Sequence, residues 1–331
     1  MKGTRRVHIV SLLVAPFAIA LLIHAQQSGP ATSASDLDAS AFVCPMHPDY
    51  TLDIEGRCPR CGMPLVRATP FDVRDYDVQF TTTPAVVKPG EKATWRLAVS
   101  HPGNGNRIMK FETVHERQFH LFVISQDMEH FQHIHPELRP DGAWTIDVTL
   151  PREGYYKVLS DFLPAGGSWQ FIVRPLVTAG YKGDLVGQSA RLIPDGGEPK
   201  IVDDMTATVS YDPAPFVAGL YGHLTFRLTE TGSGRPVTDL QTYLGAFGHT
   251  LIMSEDMTDY VHAHPLDIVP GSDEDDPVFV IPPGADLEKL RGGPDVTFDG
   301  LMPKPGRYRA WTQFRRNDRI YTFVSTFEVM P

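Results

Sequence analysis

The chain is 331 residues long and 42% hydrophobic, enough apolar material for more than one core. Acidic residues outnumber basic ones by 40 to 30, which argues against a nucleic-acid partner, because phosphate binding needs a basic surface. Twenty-nine prolines and 28 glycines punctuate the sequence too often for long helices and point to a mainly β fold.

At the start of the chain, Lys2, Arg5 and Arg6 precede an apolar run from Ile9 to Ile23, broken by Ser11 and Pro16, and Ala25 supplies a small residue for cleavage. This layout predicts a signal peptide over 1–25 and a periplasmic or secreted protein. An uncleaved membrane anchor is the alternative, although the run is short for a span. No cysteine follows the run, so a lipoprotein anchor is excluded. Residues 26–40, small and polar, read as a flexible linker.

All three cysteines lie in the next segment, 41–68. Cys44 and His47 form a C-x-x-H pair, Cys58 and Cys61 a C-x-x-C pair, and ten residues intervene. Two short-spaced ligand pairs across a loop make a tetrahedral metal knuckle, since a short loop lets both side chains of a pair converge on one ion. The competing disulfide reading leaves one thiol over and gives His47 no purpose. The segment resembles the heavy-metal-binding domain of copper-transporting ATPases and of periplasmic adaptors of copper and silver efflux pumps. The resemblance rests on Cys44-Pro45-Met46-His47-Pro48 and on Cys58-Pro59-Arg60-Cys61-Gly62-Met63-Pro64-Leu65, with Phe42 where the family often carries tyrosine. It implies copper, silver or zinc as the ion, and a metal efflux pump or membrane transporter as a partner. The Cys₃His set by itself suits zinc. The thioethers of Met46 and Met63 favour copper(I) or silver(I) as ligands, or else they pack the small core.

The remainder is an internal repeat. Residues 120–136 and 249–265 both read H-x4-S-x-D-M-x4-H-x-H-P without a gap, and LPREGYYKVLSDF (150–162) parallels MPKPGRYRAWTQF (302–314). Short β-branched or aromatic runs at Ala93–Val99, Gln118–Ile124, Trp144–Leu150, Tyr155–Ser160 and Trp169–Val173 predict strands in the first copy. Leu224–Leu228, His249–Met253, Val278–Ile281, Tyr308–Phe314 and Tyr321–Val329 do so in the second, with a short helical turn at Asp286–Leu290. The expected fold is thus a metal-binding knuckle followed by two β-sandwich domains, Ig-like or cupredoxin-like, over 71–178 and 200–331. Residues 178–200 link them or pair with one sheet. An acidic insertion near 267–293 reads as a solvated loop.

The repeated histidines are the second candidate site. If His120–Ile124 and Phe131–His135 pair as a hairpin, His120 lies opposite His135 and Phe122 opposite His133, with Cβ atoms about 4.5–5.5 Å apart. His120, His133 and His135 then converge on one ion, and His249, His262 and His264 do the same in the second copy. The alternative is that these are core histidines satisfied by backbone. Asp127 and Asp256 are expected as turn caps or as partners of the ligands. His115 and His130 have no counterpart in the second copy and are expected to be solvated or peripheral.

Blue-copper centres are excluded, because no cysteine lies near these histidines in sequence. The string His115-Glu116 fails as a zincin motif, since the next histidine, His120, is one position too far. The sequence therefore predicts an exported metal-binding protein for metal resistance, sequestration or delivery, with no catalytic residue assigned. A copper-dependent redox enzyme and a zinc-stapled interaction module are the alternatives.

Overall fold

The computed structural model describes residues 41–45, 50–59, 63–70, 72, 74–184, 190–266 and 286–331. The predicted signal peptide and linker lie outside the described residues, as do Met46, His47, Cys61, most of the acidic insertion and the strand expected at Val278–Ile281. No helix among the described residues is long and apolar enough to cross a membrane.

The knuckle is a three-stranded antiparallel sheet, with Ala41–Val43 between Thr51–Leu52 and Val66–Ala68. The Thr69 amide donates to the Gly167 carbonyl at 2.9 Å and ties its end to the first sandwich.

Each repeat copy is a sandwich of two sheets whose main strands pair antiparallel with the same connectivity, and the second copy adds short strands, of which Phe216–Val217 runs parallel to Arg319–Met330. In the first, Asp77–Thr83, Lys92–Ser100, Ala143–Thr149 and Glu137–Leu138 form one sheet, and Gln170–Val177, Tyr155–Phe162, His120–Ser125 and Phe131–Ile134 the other. In the second, Lys200–Val202, Met205–Asp212, Tyr221–Glu230, Asp295–Leu301 and Pro265–Leu266 form one sheet. Facing it, Arg319–Met330, Gly306–Arg316, His249–Ser254 and Tyr260–Ala263 pair in that order. The helical turn is the 3₁₀ segment Leu287–Lys289. Trp95, Leu97, Leu121, Val123 and Tyr156 pack the first core, and Phe226, Phe298, Tyr308, Phe314 and Phe323 the second. Tyr156 and Tyr308 each donate their hydroxyl to a carbonyl four residues back, Arg152 and Lys304, at 2.9 and 2.8 Å, pinning the same corner in both copies.

The motif strands HLFVIS and HTLIMS are buried at all six positions. A half-buried strand alternates. These do not, because their second faces meet each other. Phe122, Ile124, Met128 and Leu159 of the first copy pack with Leu251, Met253, Met257 and Trp311 of the second in a third core between the sandwiches. The indole of Trp311 stacks on Phe131, with ring centroids 5.0 Å apart.

The S-x-D-M part of the motif builds this contact. The Ser125 hydroxyl donates to Asp127 at 2.5 Å and accepts from the His130 amide at 2.9 Å, closing the hairpin. Ser254, Asp256 and Asp259 repeat the arrangement. Asp127 and Asp256 are therefore turn caps, braced by Arg152 and Lys304. Met128 and Met257 sit at φ of 59° and 57°, which aims their buried side chains into the third core. The carbonyl of Met257 accepts from Lys157 at 2.6 Å, and that of Met128 accepts from Arg309 at 3.0 Å. Lys157 and Arg309 occupy equivalent repeat positions, so the clasp is reciprocal.

Replacing Trp311 by alanine should destabilise the protein by about 3–5 kcal/mol, the cost of emptying a large buried aromatic site. Urea unfolding should show a lower midpoint. A change within about 0.5 kcal/mol, the size of an ordinary surface substitution, would contradict a packed third core.

Candidate metal centre

His120 opens its strand on the face that meets the second sandwich and is 2% exposed. Its Nε2 lies 3.1 Å from the Val114 carbonyl. A carbonyl only accepts, so Nε2 carries the proton and Nδ1 presents its lone pair. His249 repeats this, with Nε2 3.3 Å from the Leu244 carbonyl.

The hairpin register pairs Phe122 with His133 and Leu251 with His262. His133 donates from Nδ1 to Gln313 Oε1 at 3.0 Å, and the Gln313 amide donates in turn to Thr322 at 3.1 Å, which fixes its orientation. His262 donates from Nδ1 to Asp161 Oδ2 at 2.7 Å. Both therefore direct the Nε2 lone pair inward. Each support crosses between the domains: Gln313 belongs to the second sandwich and serves the first trio, and Asp161 does the converse.

His135 and His264, one step past each hairpin strand, complete the sets, and the three donor atoms of each trio lie within 4.8 Å of one another. In the first trio, His120 Nδ1 is 3.1 Å from His133 Nε2 and 3.2 Å from His135 Nε2. Tetrahedral coordination at zinc–nitrogen or copper–nitrogen bond lengths sets ligand nitrogens about 3.3 Å apart. In the second trio, His249 Nδ1, His262 Nε2 and His264 Nε2 are buried and meet no hydrogen-bond partner among the described residues. Backbone carbonyls satisfy one nitrogen of each lead histidine, as the core reading expects, yet the remaining ring nitrogens of each trio converge, and in the second trio none of them meets a partner among the described residues. Buried polar atoms are costly in that state unless a cation shares them. The residues fit a metal ion.

His115 departs from the expectation that it is solvated or peripheral. It is 6% exposed and stacks on His264 with centroids 3.4 Å apart, and its ring lies 5.5 Å from that of His249. The turn from Val114 to Arg117 places it there, with His115 and Glu116 at φ of 50° and 62°. The equivalent turn from Tyr243 to Ala246 carries Leu244 at φ 55°. A repeat comparison that sees leucine opposite histidine discards the residue. The signal lay in its position five residues before a lead histidine. His130 is away from both trios, with its ring against Tyr156.

In the knuckle, Cys44 and Cys58 are 0% and 1% exposed and pack with Leu65, and Met63 packs against them. The Cys44 amide donates to the Tyr50 carbonyl at 3.0 Å and that of Cys58 to the Met63 carbonyl at 2.9 Å.

A heavy metal binding domain matches residues 41–68, and a domain of unknown function, DUF8832, matches 71–174 and 200–331. No curated protein matches the chain. Among solved structures, the chain is similar to FdeC, an Escherichia coli adhesin, at 13% identity, covering 78% of this chain and 66% of that one with a TM-score of 0.23. It is also similar to domains 4 and 5 of the S-layer protein SbsC, at 10% identity, 78% and 100% coverage and a TM-score of 0.20. The fibronectin(III)-like modules of Clostridium thermocellum CbhA match at 10% identity, 76% and 93% coverage and a TM-score of 0.19.

Burial, reinforced by the neighbouring imidazoles, pushes His120 down to about 4 and His135 down to about 3, and holds His133, His249 and His264 well below the usual histidine range. Unfolded histidines protonate near about 6.5, so below that pH the unfolded chain binds protons that the folded one refuses. The metal-free protein should therefore lose stability as pH falls from about 6.5 toward 4, before the carboxylates titrate. Chemical unfolding at pH 7.5 and 5 should show this loss. Equal stability at both values would contradict a neutral, buried cluster.

Proposed function

Because the chain belongs to the DUF8832 family and carries a heavy metal binding domain ahead of it, we propose that it is an exported metal-binding protein for copper or a related soft or borderline ion. In this reading it acts in resistance, sequestration or delivery. The basic and apolar start of the chain supports export. The observation that carries the reading is the convergence of three imidazole nitrogens, twice, in a largely buried site. Neutral imidazoles bind copper or zinc without first releasing protons. The knuckle, near the chain's start, captures the ion through Cys44, His47, Cys58 and Cys61, with Met63 beside them and Met46 adjacent in sequence. The histidine sites hold ions in an oxygen- and nitrogen-favouring state, and a membrane transporter or efflux pump is the partner at one end of the route.

Elemental analysis of the full chain loaded with copper and freed of excess should find ions at both kinds of site. Replacing Cys58 and Cys61 by serine should remove the knuckle ion alone. Replacing His133 and His262 by alanine should remove the others while the knuckle ion stays. Metal content unchanged by both double substitutions would overturn the reading.

A second reading, copper-dependent redox catalysis, is favoured by one feature. A three-donor set leaves a coordination position open to a small molecule.

A further inference from the structure

The two trios lie side by side across the boundary between the sandwiches. Within the first, ring centroids are 4.7–5.4 Å apart, and within the second 4.3–5.9 Å. Across the domain boundary the separations are hardly larger. His120 to His262 is 5.7 Å, His133 to His249 is 6.0 Å and His133 to His262 is 6.1 Å. Phe122 packs against both His133 and His262, Tyr243 against both His133 and His249, and His115 closes one side by stacking on His264.

The two halves also differ in charge. Asp161 and Gln313 are equivalent in the repeat, and each orients the middle histidine of the opposite trio. Only one is a carboxylate. Asp161 is 1% exposed, and its Oδ1 is buried without a hydrogen-bond partner among the described residues. A carboxylate on the far nitrogen of a ligating imidazole makes that imidazole a stronger donor, and an amide does so less. A buried carboxylate also calls for a cation nearby.

We propose that the six histidines form one dinuclear centre at the junction of the two sandwiches, filled first at the His249–His262–His264 half that Asp161 supports. This rests on the proposed function and deepens it. Two divalent ions beside six imidazole ligands would outweigh the charge that the Asp161 side chain can supply. A pair of ions held there would favour a small anion such as hydroxide at the position each trio leaves open. No electron transfer is needed. A water losing one proton to solvent would supply it.

The test uses the full chain with copper(II) alone as the probe, followed by electron paramagnetic resonance. The first equivalent beyond the knuckle should give an isolated nitrogen-ligated signal. The second should diminish that signal rather than double it, because bridged cupric ions couple their spins. Asp161→Asn, close in shape, should weaken the first binding step by about tenfold and leave the second within about twofold, so that filling loses its order. Zinc-soaked crystals give a second route, independent of that variant. They should show two anomalous peaks within about 4 Å, the spacing of bridged pairs. Two signals that add linearly, or peaks far apart, would overturn the dinuclear centre while leaving the metal-binding function standing. Absence of any nitrogen-ligated signal would overturn both.

Discussion

The packing of the two motif strands against each other governs the rest of the molecule. Each of them, His120–Ser125 and His249–Ser254, is buried on both faces. One face fills its own sandwich, and the other fills a core shared with the second copy. Because side chains alternate along a strand, the residue that opens each strand points the same way as the shared-core residues two and four positions on. His120 therefore follows Phe122 and Ile124 into the junction, and His249 follows Leu251 and Met253. Once the sheets are packed, the histidines have no solvent to face. Burial keeps them neutral, and hairpin register brings their partners alongside.

Duplication explains the form of this junction, and divergence explains its use. Packing two copies across a local two-fold makes every contact reciprocal, as between the copies of an isologous dimer. Lys157 with Met257 and Arg309 with Met128 keep that symmetry. Asp161 and Gln313 keep the geometry but not the charge, and His115 and Leu244 keep the turn but not the chemistry. Both departures favour the second trio. Fusing the copies in one chain is what permits this difference, since a true homodimer would carry the same residue at both positions.

Much of this was legible in the sequence. Short β-branched and aromatic runs between turn residues announced the β-sandwiches, and the gapless motif announced the repeat. Hairpin arithmetic set His133 across from Phe122, which is the register found. The strands Asp77–Thr83, Met205–Asp212 and Asp295–Leu301 gave weaker signals, because threonine, serine and acidic residues occupy their outward positions and dilute the apolar pattern. The closeness of the two trios was not legible at all. It depends on a contact between elements more than a hundred residues apart, which no local periodicity encodes. The same distance hid Asp161 and Gln313, whose roles exist only across the boundary, and it hid His115, whose ring stacks on His264 of the other copy.

The account stands on imidazole-bound metal at the junction of the sandwiches. Its most direct test is X-ray absorption on the copper-loaded full chain in which Cys44, Cys58 and Cys61 are replaced by serine, so that knuckle thiolates contribute nothing. The expected result is a first shell of nitrogen or oxygen at about 2.0 Å with the outer-shell scattering of about three imidazoles per ion. A protein that retains no copper after those replacements, or a shell without imidazole scattering, would contradict it.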